Sequence, residues 1–300
     1  MEPETEFKFR CHKDISCFNA CCKRTDLTLT PYDILRLRQH LELSSEAFLK
    51  NHTVPFEMDA HGTPGIKMRT DNEGACLFVR EEGCSVYEDR PSSCRLYGLG
   101  SLAKHDQGTS GEHFIHFKNK EAHCKGWDED NTQTVKEFTA AQGVDVYEEY
   151  NKDWMRLMLK KKSAGPSIGK PSELSLQLFF MASYDLDRFK RFIQSPSFSK
   201  IFTLDKAEFD KICSDDLELL KFGGRFMLHV LFGEQSVPVV ENAAEKRYEE
   251  RKDIIDMRYK AEVEAHNIKA EELKKEALRV DDDRQDDGHD ADSCHDKSCK

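Results

Sequence analysis

The chain has 300 residues, 38% of them hydrophobic and 34% charged, with a formal net charge of −11 at pH 7. That length allows a sizeable core without metal as the sole stabiliser, and the acidic balance argues against a protein that tracks nucleic-acid phosphates. No run of about 18 or more apolar residues occurs, and Met1–Glu6 is acidic where a signal peptide would be basic, so the expectation is a cytoplasmic chain with no membrane partner.

Residues 1–127 mix short apolar stretches with Gly, Pro, Asp and Asn and read as loops and short strands around two helices. The first starts at Thr30, which can cap, with Pro31 suited to the first helical position and Ile34, Leu37 and Leu41 on one face. The second follows Ser44 or Ser45, with Phe48 and Leu49 turned inward. From about residue 132 to 233 the period becomes helical. Thr134 with Glu137 and Asp145 with Glu148 form capping-box pairs, Gly143 suits a stop between them, and Tyr147, Tyr150, Trp154, Leu157 and Met158 make one stripe. Further helices are expected over residues 173–184, 187–194, 206–212 and 216–232, the last closed by Gly233. Residues 238–300 gain charge and lose apolar content: a thin-striped helix runs from Asn242 to about Arg279, then an acidic stretch, 281–300, expected to be disordered. The fold class is therefore α+β, with a small cysteine-rich metal-binding domain (1–127), a helical domain (128–237) and a charged helix with an acidic tail (238–300).

Of the 11 cysteines, eight lie in the first 124 residues: Cys11, Cys17, Cys21, Cys22, Cys76, Cys84, Cys94 and Cys124. In a reducing compartment such density points to metal rather than disulfides, and thiolates suit Zn²⁺ or an iron-sulfur cluster. Neighbouring side chains usually diverge, so the adjacent Cys21 and Cys22 read as serving two metals, or two irons of one cluster. Lys23, Arg24, Arg90, Arg95 and Lys125 are candidates to offset thiolate charge. His12, His113, His116 and His123 lie close by but follow no ligand spacing, with His123, next to Cys124, the best placed. Cys213, beside Phe209 and Ile212, reads as a small core residue. The tail residues His289, Cys294, His295 and Cys299 could scavenge metal.

The string from Cys11 to Cys22, then Ala75-Cys76-Leu77-Phe78, then Gly83-Cys84 through Val86-Tyr87 and Arg90-Pro91 to Cys94-Arg95, resembles the YkgJ-type cysteine-cluster family of zinc- or iron-chelating domains. Two departures stand out: the gaps before Cys17 and Cys21 are longer than in the family's compact first motif, and Leu77 stands where its members carry Pro. The resemblance implies a metal centre, iron-sulfur or zinc, as partner and cofactor. Flagellin lysine-N-methylases, a related branch, imply an alternative: a metal- or S-adenosylmethionine-dependent protein-modifying enzyme. No Gly-rich cofactor loop is present, and Gly223-Gly224 reads as a site of close helix packing.

Overall fold

The computed structural model describes residues 1–105, 112–163 and 171–286. Helices and short strands together make an α+β fold, and the chain divides into two compact units, Met1–Val240 and Glu241–Lys300. In chain order the first unit runs β1 (Glu6–Lys8), α1 (Ala20–Lys23), β2 (Thr28–Leu29), α2 (Pro31–His40), α3 (Ser45–His52), β3 (Thr53–Glu57), β4 (Pro64–Met68), β5 (Val79–Arg80), β6 (Gly83–Cys84), α4 (Ser92–Arg95), β7 (Leu99–His105), β8 (Glu112–Lys118) and β9 (Thr132–Thr134). It continues with α5 (Val135–Gln142), α6 (Val144–Ser163), α7 (Glu173–Tyr184), α8 (Leu186–Ile193), α9 (Pro196–Ser199), α10 (Lys206–Ser214) and α11 (Asp216–Phe232). The second unit carries α12 (Ala243–Asp286), a long charged helix. The tail residues His289, Cys294, His295 and Cys299, and most of the acidic stretch, lie outside the described residues.

Helix starts follow side-chain chemistry. Thr30 and Asp33 form a reciprocal capping box on α2, Ser44 caps α3, and Thr134 with Glu137 does the same for α5. Asp185, Asp205 and Asp215 cap α8, α10 and α11, while Gly143 and Gly233 end α5 and α11 in the left-handed conformation. The box expected at Asp145 and Glu148 does not form. The fully buried Val144 draws the start of α6 to residue 144, Asp145 falls within its first turn, and Glu148 instead accepts from His116.

Two cores hold the first unit. The larger spans Leu29 to Val237, so Tyr32 of α2 meets Tyr147 and Tyr150 of α6 at ring-centroid distances of 4.9 and 4.8 Å. Gly223 lets α11 press on α7: a Cβ there would lie 2.6 Å from the Ala182 carbonyl oxygen. The smaller core joins Phe7, Phe9, Leu96, Leu99, Val135, Phe138 and Val144, with Trp127 packed against it. Its frame is the antiparallel pair β1–β9, which matches Phe7 with Gln133 and closes residues 9–131 into a loop. Phe9 N–H donates to Asn131 and Arg10 N–H to Gly126. Gly126 is required there, since a Cβ would come within 2.7 Å of the Phe9 ring and 2.9 Å of Arg10 O. The other strands form the sheet β2-β4-β3 and the hairpins β5–β6 and β7–β8.

One ion pair makes stability depend on acid. Burial opposes ionisation of Asp59, but Lys161 Nζ at 2.8 Å, Thr63 and the His61 N–H hold its carboxyl well below the usual range. A depressed folded value gives stability that is present above the unfolded value, near 4, and fades as pH falls below it. With Asp59 about one-third exposed, Asp59→Asn should cost about 1 kcal/mol at pH 7 in urea unfolding, with the gap to wild type narrowing below about pH 4. A gap that stays constant into acid would contradict the pairing.

Candidate metal centre

Asn19 starts the site. Its left-handed backbone (φ 62°) turns the chain into the single helical turn α1, and its amide donates to Arg80 O at 2.9 Å and Glu81 O at 3.3 Å, fastening the turn to the β5–β6 hairpin. Cys21 and Cys22 lie on that turn with their sulfurs 3.8 Å apart. The expected divergence is thus not observed: 3.8 Å is the edge of a single tetrahedron with metal–sulfur bonds of about 2.3 Å, so divergence gives no ground for splitting the pair.

The other six cysteines approach from two sides. Arg10 N–H to Gly126 O (3.0 Å) lays the segment of Cys11 beside that of Cys124, and the Lys125 N–H donates to Cys17 Sγ at 3.2 Å. On the far side Cys76 N–H donates to Cys22 O at 2.8 Å, Val79 N–H to Cys76 O at 3.1 Å, and Val79 pairs with Cys84. Cys94 rides on α4, whose start is fixed by the buried Asp33: its carboxylate accepts from Ser92 N–H at 2.8 Å and Ser92 Oγ at 2.6 Å, besides capping α2. Six of the eight, Cys11, Cys21, Cys22, Cys76, Cys84 and Cys94, line a cavity of about 850 Å³ that continues past Tyr147 and Asn151.

All eight are free thiols. Among the described residues no three Cys, His, Asp or Glu side chains already stand in a closed ligating arrangement; the sulfurs are gathered around Cys21 without being drawn onto one point. The donors nonetheless fit a thiophilic metal, being soft, unpaired and held on separate segments. Desolvation pushes Cys11 up to about 11 and raises Cys76, Cys84, Cys94 and Cys124, with neighbouring sulfurs adding to the effect. Their mutual contact splits the adjacent pair, Cys21 down and Cys22 up.

Arginines frame the loop between Cys84 and Cys94. Arg95, buried, donates to Arg90 O at 3.0 Å, Gln142 O at 2.8 Å and Glu88 O, and stacks on Tyr147. Arg90 reaches Tyr87 O at 2.6 Å and Gln142 Oε1 at 2.7 Å, and its charge favours ionisation of Cys11 and Cys84. Arg80, absent from the sequence-based candidates, does the same for Cys76 and Cys84. Its place four residues from each of them was the available signal. The histidines are engaged elsewhere: His12 with Glu129 (3.2 Å), His116 with Glu148 (3.1 Å) and His123 Nε2 with the Tyr97 hydroxyl (2.8 Å). The side chain of His113 lies outside the described residues. Cys213 packs on the larger core, away from this site.

Residues 10–125 match the CxxCxxCC family model, described as "Putative zinc- or iron-chelating domain". The match takes in all eight of these cysteines and stops short of the helices from α5 onward. No curated protein and no solved structure matched the chain.

Raised thiols fix the sign of a pH effect. A cysteine protonated at working pH must lose its proton to ligate, so metal affinity falls as pH falls. Zinc affinity measured by chelator competition should rise at least about tenfold from pH 6.5 to 7.5, the minimum for one proton displaced per ion. A flat profile would contradict the gathered-thiol arrangement.

Proposed function

We infer that this is a metal-binding protein of YkgJ type, coordinating an iron-sulfur cluster or zinc through the thiolates of Cys11, Cys17, Cys21, Cys22, Cys76, Cys84, Cys94 and Cys124. One observation carries the reading: eight free thiols from distant segments converge around Cys21 and Cys22 within the stretch that matches a chelating family. When bound, a metal cross-links these segments and, if it is iron, can exchange an electron. The chain supplies the rest. Arg80 and Arg90 favour thiolate over thiol, Arg95 and Asp33 hold the loop bearing Cys84 and Cys94, and Asn19 fixes the adjacent pair. The acidic surface leaves nucleic acid an unsuitable partner, and reduced thiols suit a cytoplasmic location.

The test is stability linkage. Metal-free, reduced protein should gain about 3–4 kcal/mol when free Zn²⁺ exceeds Kd by a few hundred-fold, and lose it again with chelator. No change in thermal midpoint at any zinc or ferrous iron concentration would remove the proposal.

A second reading, a metal- or S-adenosylmethionine-dependent modifying enzyme related to flagellin lysine-N-methylases, draws on the cavity. About 850 Å³ beside the thiols is room for a small molecule as well as a metal. Saturable S-adenosylmethionine binding by metal-loaded protein would favour it, and its absence up to millimolar ligand would dismiss it.

A further inference from the structure

We propose that the eight cysteines form two abutting four-thiolate sites, Cys11, Cys17, Cys21 and Cys124 in one and Cys22, Cys76, Cys84 and Cys94 in the other, joined at the Cys21–Cys22 peptide. This rests on the chelation reading and deepens it by assigning ligands.

Two separate backbone frameworks carry the sets. The first is the loop closure of β1 on β9, which lays residues 10–17 along residues 124–126 through Arg10 N–H to Gly126 O (3.0 Å) and Lys125 N–H to Cys17 Sγ (3.2 Å). The second is the hairpin β5–β6 with its approach strand: Cys76 N–H bonds Cys22 O at 2.8 Å, Val79 N–H bonds Cys76 O at 3.1 Å, and Val79 faces Cys84. Among the bonds on which these frameworks rest, none links residues 10–17 or 124–126 to residues 76–84. Only α1 belongs to both, and its two cysteines are the two that lie side by side.

Sulfur neighbours divide along the same line. The sulfurs near Cys11 include Cys21, Cys17 and Cys124, and those near Cys124 include Cys17 and Cys21. Cys22 is influenced by Cys94 and Cys76 besides Cys21, and Cys76 by Cys84. Cys21 stands near members of both, since it acts on Cys11 and Cys124 and also on Cys84 and Cys94, and Cys22, 3.8 Å from it, shares that junction. Cys22 goes with the second set because its carbonyl accepts from the Cys76 N–H and its sulfur lies near Cys76 and Cys94; Cys21 then completes the first, giving each centre four donors, the number a closed thiolate site takes. Two filled four-thiolate zinc sites would each carry a formal charge of −2, which explains why Arg90 stands near a sulfur of each set and Arg80 near two of the second.

Zn²⁺ titration of metal-free, reduced full-length protein, followed by chelator competition with far-UV circular dichroism alongside, tests the partition. Wild type should bind two equivalents. Cys17→Ser and Cys84→Ser should each retain one, and the combination of the two should bind none. Cys21→Ser/Cys22→Ser should also bind none, because each residue belongs to a different site. One equivalent retained by that double variant would mean that the pair chelates one ion, and would overturn the partition, as would a single equivalent in wild type or loss of both equivalents in either folded single variant. No zinc bound by wild type would instead remove the chelation reading itself, an outcome distinct from a wrong division of ligands.

Discussion

Arg95→Ala is expected to cost on the order of 3–5 kcal/mol of folding stability, because it removes the guanidinium donors from three carbonyl oxygens, one buried and two part-buried, at about 1–3 kcal/mol for each such bond lost. The guanidinium bonds Arg90 O, Gln142 O and Glu88 O, reaches the Tyr147 hydroxyl at 3.2 Å, and lies 4.2 Å over the Tyr147 ring. It therefore joins the loop between Cys84 and Cys94 to α5 and α6 through one planar group. Arg95→Lys should recover little, since an ammonium keeps the charge but not the fork. Urea unfolding of both variants at pH 7 measures this. A loss under about 1 kcal/mol for Arg95→Ala would show that water satisfies those carbonyls and that the arginine merely lines the cavity.

Phe9→Ala should be of similar size, about 3–5 kcal/mol, as for a fully buried aromatic truncated to a methyl. The ring is 1% exposed, packs 5.1 Å from Trp127 and 5.8 Å from Phe138 between centroids, and rests on Gly126. The cavity left would sit under the strand that presents Cys11, so Cys11 and Cys17 should alkylate faster in the metal-free variant than in wild type, with Cys84 unchanged. Equal labelling of all three would contradict the separate framework drawn for the N-terminal segment.

Much of the helical frame was legible because capping is local. Thr30-Pro31, Ser44 and Thr134 with Glu137 carry their helix starts within four residues, and the stripe from Tyr147 to Met158 declares its buried face by period alone. What escaped is long-range. Nothing in Glu6-Phe7-Lys8 signals a partner 126 residues on, yet that pairing closes the cysteine-bearing loop. Asp33 lies in the first turn of α2, but its bonds to Ser92 depend on a fold that brings α4 to the start of that helix. Glu148 shows the reverse: a capping-box spacing was present, and the pull of Val144 into the core with the nearness of His116 overrode it.

For the site, composition and reducing chemistry pointed to the eight cysteines, and the family match covers all of them. Consecutive side chains point apart in extended chain and in a helix alike, yet the thiols of Cys21 and Cys22 on α1 turn toward each other and lie 3.8 Å apart, which residue order alone does not reveal. Arg80 has no cysteine next to it in the chain, and only the fold sets its charge beside Cys76 and Cys84.

Metal analysis of the full-length chain purified without oxygen, with an absorption spectrum of the same sample, bears most directly on the central claim. About two zinc ions per chain are expected, or iron with matching sulfide and a broad band near ~400 nm from thiolate-bound iron, in either case lost when Cys21 and Cys22 are both replaced by Ser. Folded, colourless protein with neither metal above background, and unable to take up zinc or iron after reduction, would contradict it.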